Sequence, residues 1–151
     1  MMEQVNLLPM TPEAEAAMRF AYQEAVRLHH QELGTKHMLL GLMAVRESAA
    51  GKVLYRLGLE LEPTRRMEKR LKHTDELKEP VKPKLNQPAR TLLETAVKEA
   101  QEAGQQQIGT GHLLLALTKV ENGVALDTLR HFEITPEQVQ VYRQELLFGG
   151  G

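Results

Sequence analysis

Two stretches of this sequence, LGTKHMLLGL at residues 33–42 and IGTGHLLLAL at residues 108–117, state one local structure twice. In each, an apolar residue and a glycine lead into a threonine, then a histidine, then a run rich in leucine. Thr35 and Thr110 follow the glycine directly, so their hydroxyls are expected to cap a helix by accepting hydrogen bonds from unpaired amides of its first turn. The leucines behind them, Leu39, Leu40 and Leu42 in one copy and Leu114, Leu115 and Leu117 in the other, are candidate core. Between threonine and histidine the copies disagree, with Lys36 in the first and Gly111 in the second. That position reads as the one facing solvent and free to diverge.

Working outward, a shift of 75 residues lays positions 11–71 on 86–146 without a gap. Ala14, Met18, Ala21, Ala25 and Leu28 fall on Ala89, Leu93, Ala96, Ala100 and Ala103, a spacing of four, three, four and three that marks one face of an amphipathic helix. Thr11 before Pro12 is an N-cap followed by proline at the first helical position, and Asn86 can cap the second copy. Gly104 is a C-terminal stop. A third helix fits Ser48 to Leu57, stopped by Gly58, with its counterpart from about Val124 to Phe132. A fourth, announced by Glu62 and Pro63 or by Thr135 and Pro136, carries on to Leu71 and Leu146. No alternating apolar run is bounded by turn signals, so no strand is expected. The expected fold is all-α: eight helices, as two tandem four-helix repeats packed with pseudo-two-fold symmetry. The chain divides into an N-terminal extension (1–10), a first repeat (11–72), a linker HTDELKEPVKPKL (73–85), a second repeat (86–147) and a Gly-rich tail (148–151).

Composition bounds the function. A chain of 151 residues buries roughly 70% of the surface its unfolded form exposes, enough for a core without metal or disulfide. With 19 basic and 20 acidic residues there is no strong field to draw nucleic acid or a membrane. There is no cysteine, which excludes thiol catalysis. The first residues lack a signal-peptide pattern and no stretch approaches 18 apolar residues, so the expectation is a soluble cytoplasmic protein.

At this point the residues resemble a known family. A capped first helix, then LGTKHMLLGL, then ESAAGKVLYRLGL, repeated after a linker, is similar to the double-repeat N-terminal domain of the Clp family of AAA+ unfoldases, over positions 11–147. The resemblance implies a substrate-receiving and adaptor-docking module. Its partners would be protein substrates or adaptors of a Clp unfoldase, or the unfoldase itself. It also implies partner-binding positions at Thr11, Lys36, Asn86 and Gly111. In the branch of the family that reads phosphorylated arginine, a glutamate between threonine and histidine receives the guanidinium. Lys36 and Gly111 both depart from it, so free phosphoarginine is expected to bind weakly or not at all, and glutamates at both positions to strengthen binding.

The catalytic machinery of an unfoldase is missing from the sequence. A P-loop needs GxxxxGK followed by Ser or Thr, whereas Gly51 and Lys52 are followed by Val53. No nucleotide, metal or other cofactor is expected, and no catalytic residue. His37 and His112 read as structural first-turn residues that bond local backbone. His29, His30 and His37 lack the i, i+4 spacing of a zinc site. Glu24 and Glu99 recur at the repeat distance and read as a solvated helix edge rather than an acid–base pair. A rival reading takes the glycine-containing turn at Gly34 as part of a helix-turn-helix, with Arg65, Arg66, Lys69, Arg70 and Lys72 on phosphates. The second repeat replaces that basic segment with PEQVQVYRQEL, and no nucleic-acid partner is expected. Whether the chain stands alone or belongs to a full-length Clp ATPase depends on the reading frame beyond Gly151.

Overall fold

In the computed structural model, residues 8–70, 82–149 and 151 are described. Among them are nine helices: α1 (Pro12–Arg27), α2 (Thr35–Ala44), α3 (Ala49–Arg56), α4 (Leu61–Arg70), α5 (Gln87–Glu102), α6 (Thr110–Leu117), α7 (Val124–His131), α8 (Pro136–Gln140) and α9 (Arg143–Phe148). α1 and α5, and likewise α3 and α7, begin and end 75 residues apart. The chain ends its helices alike in both repeats. The left-handed residue after α1 is His29 (φ 58°) and after α5 Gly104 (φ 73°), and the one after α3 is Gly58 (φ 92°) and after α7 Glu133 (φ 61°).

The ninth helix corrects the expected eight. The last helix of the second repeat breaks where Tyr142 leaves helical geometry at φ −98°, ψ 19°, dividing it into α8 and α9. β-Branched Val139 and Val141 flank the break and weaken the helix there. The step lets α9 lie across the start of α6. The end of the first repeat's fourth helix at Leu71, and most of the expected linker (73–81), lie outside the described residues.

Two short strands were also unexpected. β1 (Glu32–Leu33) pairs in parallel with β2 (Lys84–Leu85), matching Leu33 with Leu85. Its pseudo-equivalent is the parallel bridge between Met10 and Ile108. Each lead-in to a first helix thus pairs with the segment before the second helix of the other repeat, and Asn86 N–H to Leu33 O (3.1 Å) is matched by Thr11 N–H to Ile108 O (2.9 Å). Two or three residues with no alternation carry no strand signal, which is why they escaped the sequence.

One core runs through both repeats. α1 and α5 present their alanines inward, and Leu39, Leu40, Leu42, Leu114, Leu115 and Leu117 are at most 1% exposed. Glu24 and Glu99 lie beside this core and are only 3% and 2% exposed, which overturns the reading of a solvated edge. A buried carboxylate needs counter-charges. Glu24 receives Arg27 from its own helix (3.0 Å) and Arg65 from α4. Glu99 receives Lys119 and, at 3.3 Å, Arg143 of α9. Burial alone would push the Glu24 carboxyl up, but the hydrogen bonds and charges of Arg65 and Arg27 outweigh it and hold the group below the usual glutamate range.

Leu40→Ala and Leu115→Ala each remove a side chain from the shared core, and each is expected to cost about 2–5 kcal/mol in denaturant unfolding. A loss below about 0.5 kcal/mol at both sites, the scale of a surface substitution, would contradict this packing.

Candidate functional site

The two repeated stretches place four N-terminal helix turns at the junction of the repeats. Thr35 and Thr110 are not the N-caps of their own helices. Gly34 and Gly109, in extended conformation, hold those positions. The threonines sit one residue further in, and their hydroxyls cross to the other repeat. Thr35 Oγ1 accepts from Ala125 N–H of α7 at 3.0 Å, and Thr110 Oγ1 accepts from Ala50 N–H of α3 at 3.1 Å. Each threonine therefore caps the third helix of the opposite repeat. The glycine at each cap offers the first-turn amides no side-chain acceptor, and the histidine two residues beyond the threonine reaches back to the cap glycine's own N–H. Gly34 N–H donates to His37 Nδ1 at 3.0 Å, and Gly109 N–H donates to His112 Nδ1 at 2.8 Å. This is one half of a capping box, since glycine has no side chain to return the bond, and bonding local backbone is the structural role expected of the ring, in a geometry that the sequence did not reveal.

Two pseudo-equivalent clefts open beside these turns, and each takes its first-helix cap from the other repeat. The cleft at the start of α2 brings Lys36 together with Asn86, whose side chain accepts from Ala89 N–H at 2.9 Å. The cleft at the start of α6 brings Gly111 together with Thr11, which accepts from Ala14 N–H at 3.1 Å. They differ in size, ≈ 180 Å³ and ≈ 490 Å³.

Gly111 is not a solvent-facing position left free to vary. It is buried, and a Cβ there would fall within bonding distance of the Leu146 carbonyl oxygen and 2.8 Å from Leu146 Cα. Only a residue without a side chain lets α9 cross α6 so closely. Lys36, by contrast, is half-buried along the first cleft. A glutamate at 111, expected from the sequence to build an acceptor, has no room.

The histidines diverge as well. His37 Nε2 lies 2.8 Å from His30 Nδ1, both rings buried. The residue equivalent to His30 is Gln105, and among the described residues the buried His112 Nε2 has no hydrogen-bond partner. Burial, partly offset by the Glu99 charge, pulls the His112 ring below the usual histidine range and keeps it neutral. Among the described residues no group of three or more His, Asp or Glu is placed to hold a metal ion, and no helix is long and apolar enough to cross a membrane.

This architecture of two crossed helical repeats is shared with solved Clp-type N-domains. The N-terminal domain of Hsp104 from Candida albicans covers 91% of each chain with a TM-score of 0.73 at 17% identity. A ClpV N-domain solved in complex with a VipB peptide covers 94% of this chain and 89% of its own, with a TM-score of 0.73 at 18% identity. The Clp repeat (R) N-terminal domain model matches residues 9–132 and 84–147, and the chain belongs to that family. It is 33% identical over 138 residues to a probable ATP-dependent Clp protease ATP-binding subunit of Chlamydia pneumoniae. It is 31% identical over the same length to the negative regulator of genetic competence ClpC/MecB of Bacillus subtilis. Both matches cover 91% of this chain but 16% of the relative, so the chain spans about a sixth of their length.

Gly111→Ala should overpack the α6–α9 crossing and cost about 1–3 kcal/mol or more. Amide hydrogen exchange in α9 should accelerate well before that in α2, and a variant as stable as the parent with α9 equally protected would refute the close approach.

Proposed function

We propose that this chain is a non-catalytic protein-interaction module of a Clp chaperone–protease system, acting in the cytoplasm to recruit or regulate substrates or adaptors. The observation that carries the reading is the pair of clefts at the repeat junction, which draw together the implied partner-binding residues, Thr11 with Gly111 and Asn86 with Lys36. Membership of the Clp N-domain family supports it, and so does the related ClpV N-domain with a peptide bound. The short span relative to full Clp ATPases supports a second form of the same reading, in which this domain is the N-terminal substrate- and adaptor-binding part of a longer unfoldase. The helix-turn-helix alternative loses one of its phosphate contacts, because Arg65 is committed to Glu24 and Glu62.

Specificity follows from the two divergent positions. The first cleft is lined by Glu32 as well as Lys36, and Lys36 opposes a guanidinium at the position after Thr35, while the second has neither a carboxylate side chain in its lining nor space for one at residue 111. Calorimetric titration is expected to show free phosphoarginine binding weakly or not at all, and Lys36→Glu alone to strengthen it. Tight binding by the unmodified chain would mean that another group receives the guanidinium. For the function itself, the chain is added in trans to a Clp unfoldase and its peptidase degrading casein. A saturable change in degradation rate is expected, and no change at any concentration would overturn the assignment.

A further inference from the structure

The 75-residue offset carries α3 onto α7, and the two helices have the same length of 8 residues. Their outer faces therefore offer the same backbone frame. The charges on that frame are reversed. On α3 and the turn before it, Arg46, Glu47, Lys52, Tyr55 and Arg56 are exposed and line one cleft of ≈ 210 Å³. The equivalent residues, also exposed, are Glu121, Asn122, Asp127, Arg130 and His131. Arg46 and Lys52 give way to Glu121 and Asp127, and the one acid of the first face, Glu47, gives way to neutral Asn122. With histidine counted as neutral, the first face carries three cations and one anion, the second one cation and two anions.

Little within the chain uses these charges. Arg56 reaches Glu145 at 2.6 Å and Asp127 reaches Arg130 at 3.2 Å, both in exposed pairs that solvent screens. Among the described residues Arg46, Lys52 and Glu121 form no ion pair. The Arg46 guanidinium lies over the Tyr55 ring, 4.2 Å from its centroid, which holds it on the face. Each face also exposes an apolar side chain among its charges, Tyr55 at 56% and Val124 at 38%. Val124 and Asp127, three residues apart, share one side of α7, with Glu121 in the turn that leads into it. Further charges border the faces: Glu60 and Glu62 across a cleft that Arg46 and Tyr55 also line, and Lys36 with Glu32 across the cleft beside Val124. None of these four is reversed in sign in the other repeat, where Thr135, Glu137, Gly111 and Gln107 stand. Two copies that met α3 to α3, or α7 to α7, would oppose like charges, whereas α3 against α7 sets cations on anions over matching frames.

We propose that this protein self-associates through unlike faces, the basic face of α3 in one copy against the acidic face of α7 in a second, with Tyr55 and Val124 as the apolar part of the contact. Such a contact is heterologous, so a pair retains one free face of each kind and can be extended. The α7 side also borders the first cleft, which Asn122, Gly123 and Val124 help to line, so a docked copy covers part of its rim. The inference does not depend on what either cleft binds.

Sedimentation velocity on the full chain at rising concentration is the test. The weight-average sedimentation coefficient should climb with concentration at about 20 mM salt, and the association constant should fall at least about tenfold at about 500 mM, where the screening length is several times shorter. Arg46→Glu with Lys52→Glu makes both faces acidic, and Glu121→Lys with Asp127→Lys makes both basic. Each double variant should stay monomeric alone, and an equimolar mixture of the two should associate, because every face then finds an opposite one. All four positions are exposed, so both variants should keep the parent's helical circular dichroism. If either fails to fold, a dilution series of the parent followed by NMR decides, with the Lys52 and Asp127 amide resonances expected to shift together with concentration. A parent that is monomeric throughout, association that salt does not weaken, variants that associate alone as the parent does, a mixture that stays monomeric, or amide shifts that spare Lys52 and Asp127 would each overturn the proposal.

Discussion

The fold depends on two hydrogen bonds that cross between the repeats, Thr35 Oγ1 from Ala125 N–H and Thr110 Oγ1 from Ala50 N–H. A helix start leaves its first amides without intrahelical partners, and here α3 and α7 begin inside the protein. Ala50 and Ala125 are 0% and 1% exposed, so water cannot serve them, and an unpaired buried amide costs about 1–3 kcal/mol. α7 depends on this contact most, because its N-cap is Gly123 and offers no side chain. That glycine is itself a consequence of the crossing, since a Cβ on it would come 2.5 Å from Thr35 Oγ1. α3 has Ser48 as a second cap through Gly51 N–H, so the two crossings are geometrically equivalent but unequal in what they support.

The same inequality recurs wherever the repeats meet charge. Glu24 and Glu99 are equivalent buried carboxylates at the same point of α1 and α5. Their cations are not equivalent: α4 sends Arg65 to the first, and α9 with Lys119 serves the second. The fourth helix of the second repeat is broken at Tyr142, so Arg143 begins a new helix and reaches Glu99 from there. The repeat fixes where the charge is buried, and the divergent last segment determines what neutralises it.

The sequence made legible what local periodicity encodes. The spacing of the alanines in α1 and α5, the Thr11 and Asn86 caps, and the leucines after each histidine all stand where the 75-residue offset puts them. The Thr35 and Thr110 hydroxyls were legible as caps but not as caps of the opposite repeat, because the amides they serve lie 90 and 60 residues away in sequence. Glu24 and Glu99 read as exposed because a carboxylate's burial is set by cations that fold against it, and Arg65 is 41 residues distant. Gly111 was the hardest to read. A glycine in a first helical turn suggests an unconstrained surface position, and its reason is visible only once the Leu146 carbonyl is seen against it.

Gly111 also links packing to the character of the cleft. Because α9 presses on the backbone of α6, no side chain at that position can project over the amides of the first turn, and no carboxylate can enter the site from residue 111. In the first repeat that place is held by Lys36, and the histidine behind it is satisfied by His30. One cleft is therefore small and bordered by both Lys36 and Glu32, the other larger, lined by side chains without formal charge, and backed by a buried His112 N–H that has no partner among the described residues. Two copies of one motif need not bind alike. The shared threonine and histidine are held by caps on which both halves depend, whereas positions 36 and 111, and 30 and 105, lie outside those caps and set the chemistry of each opening.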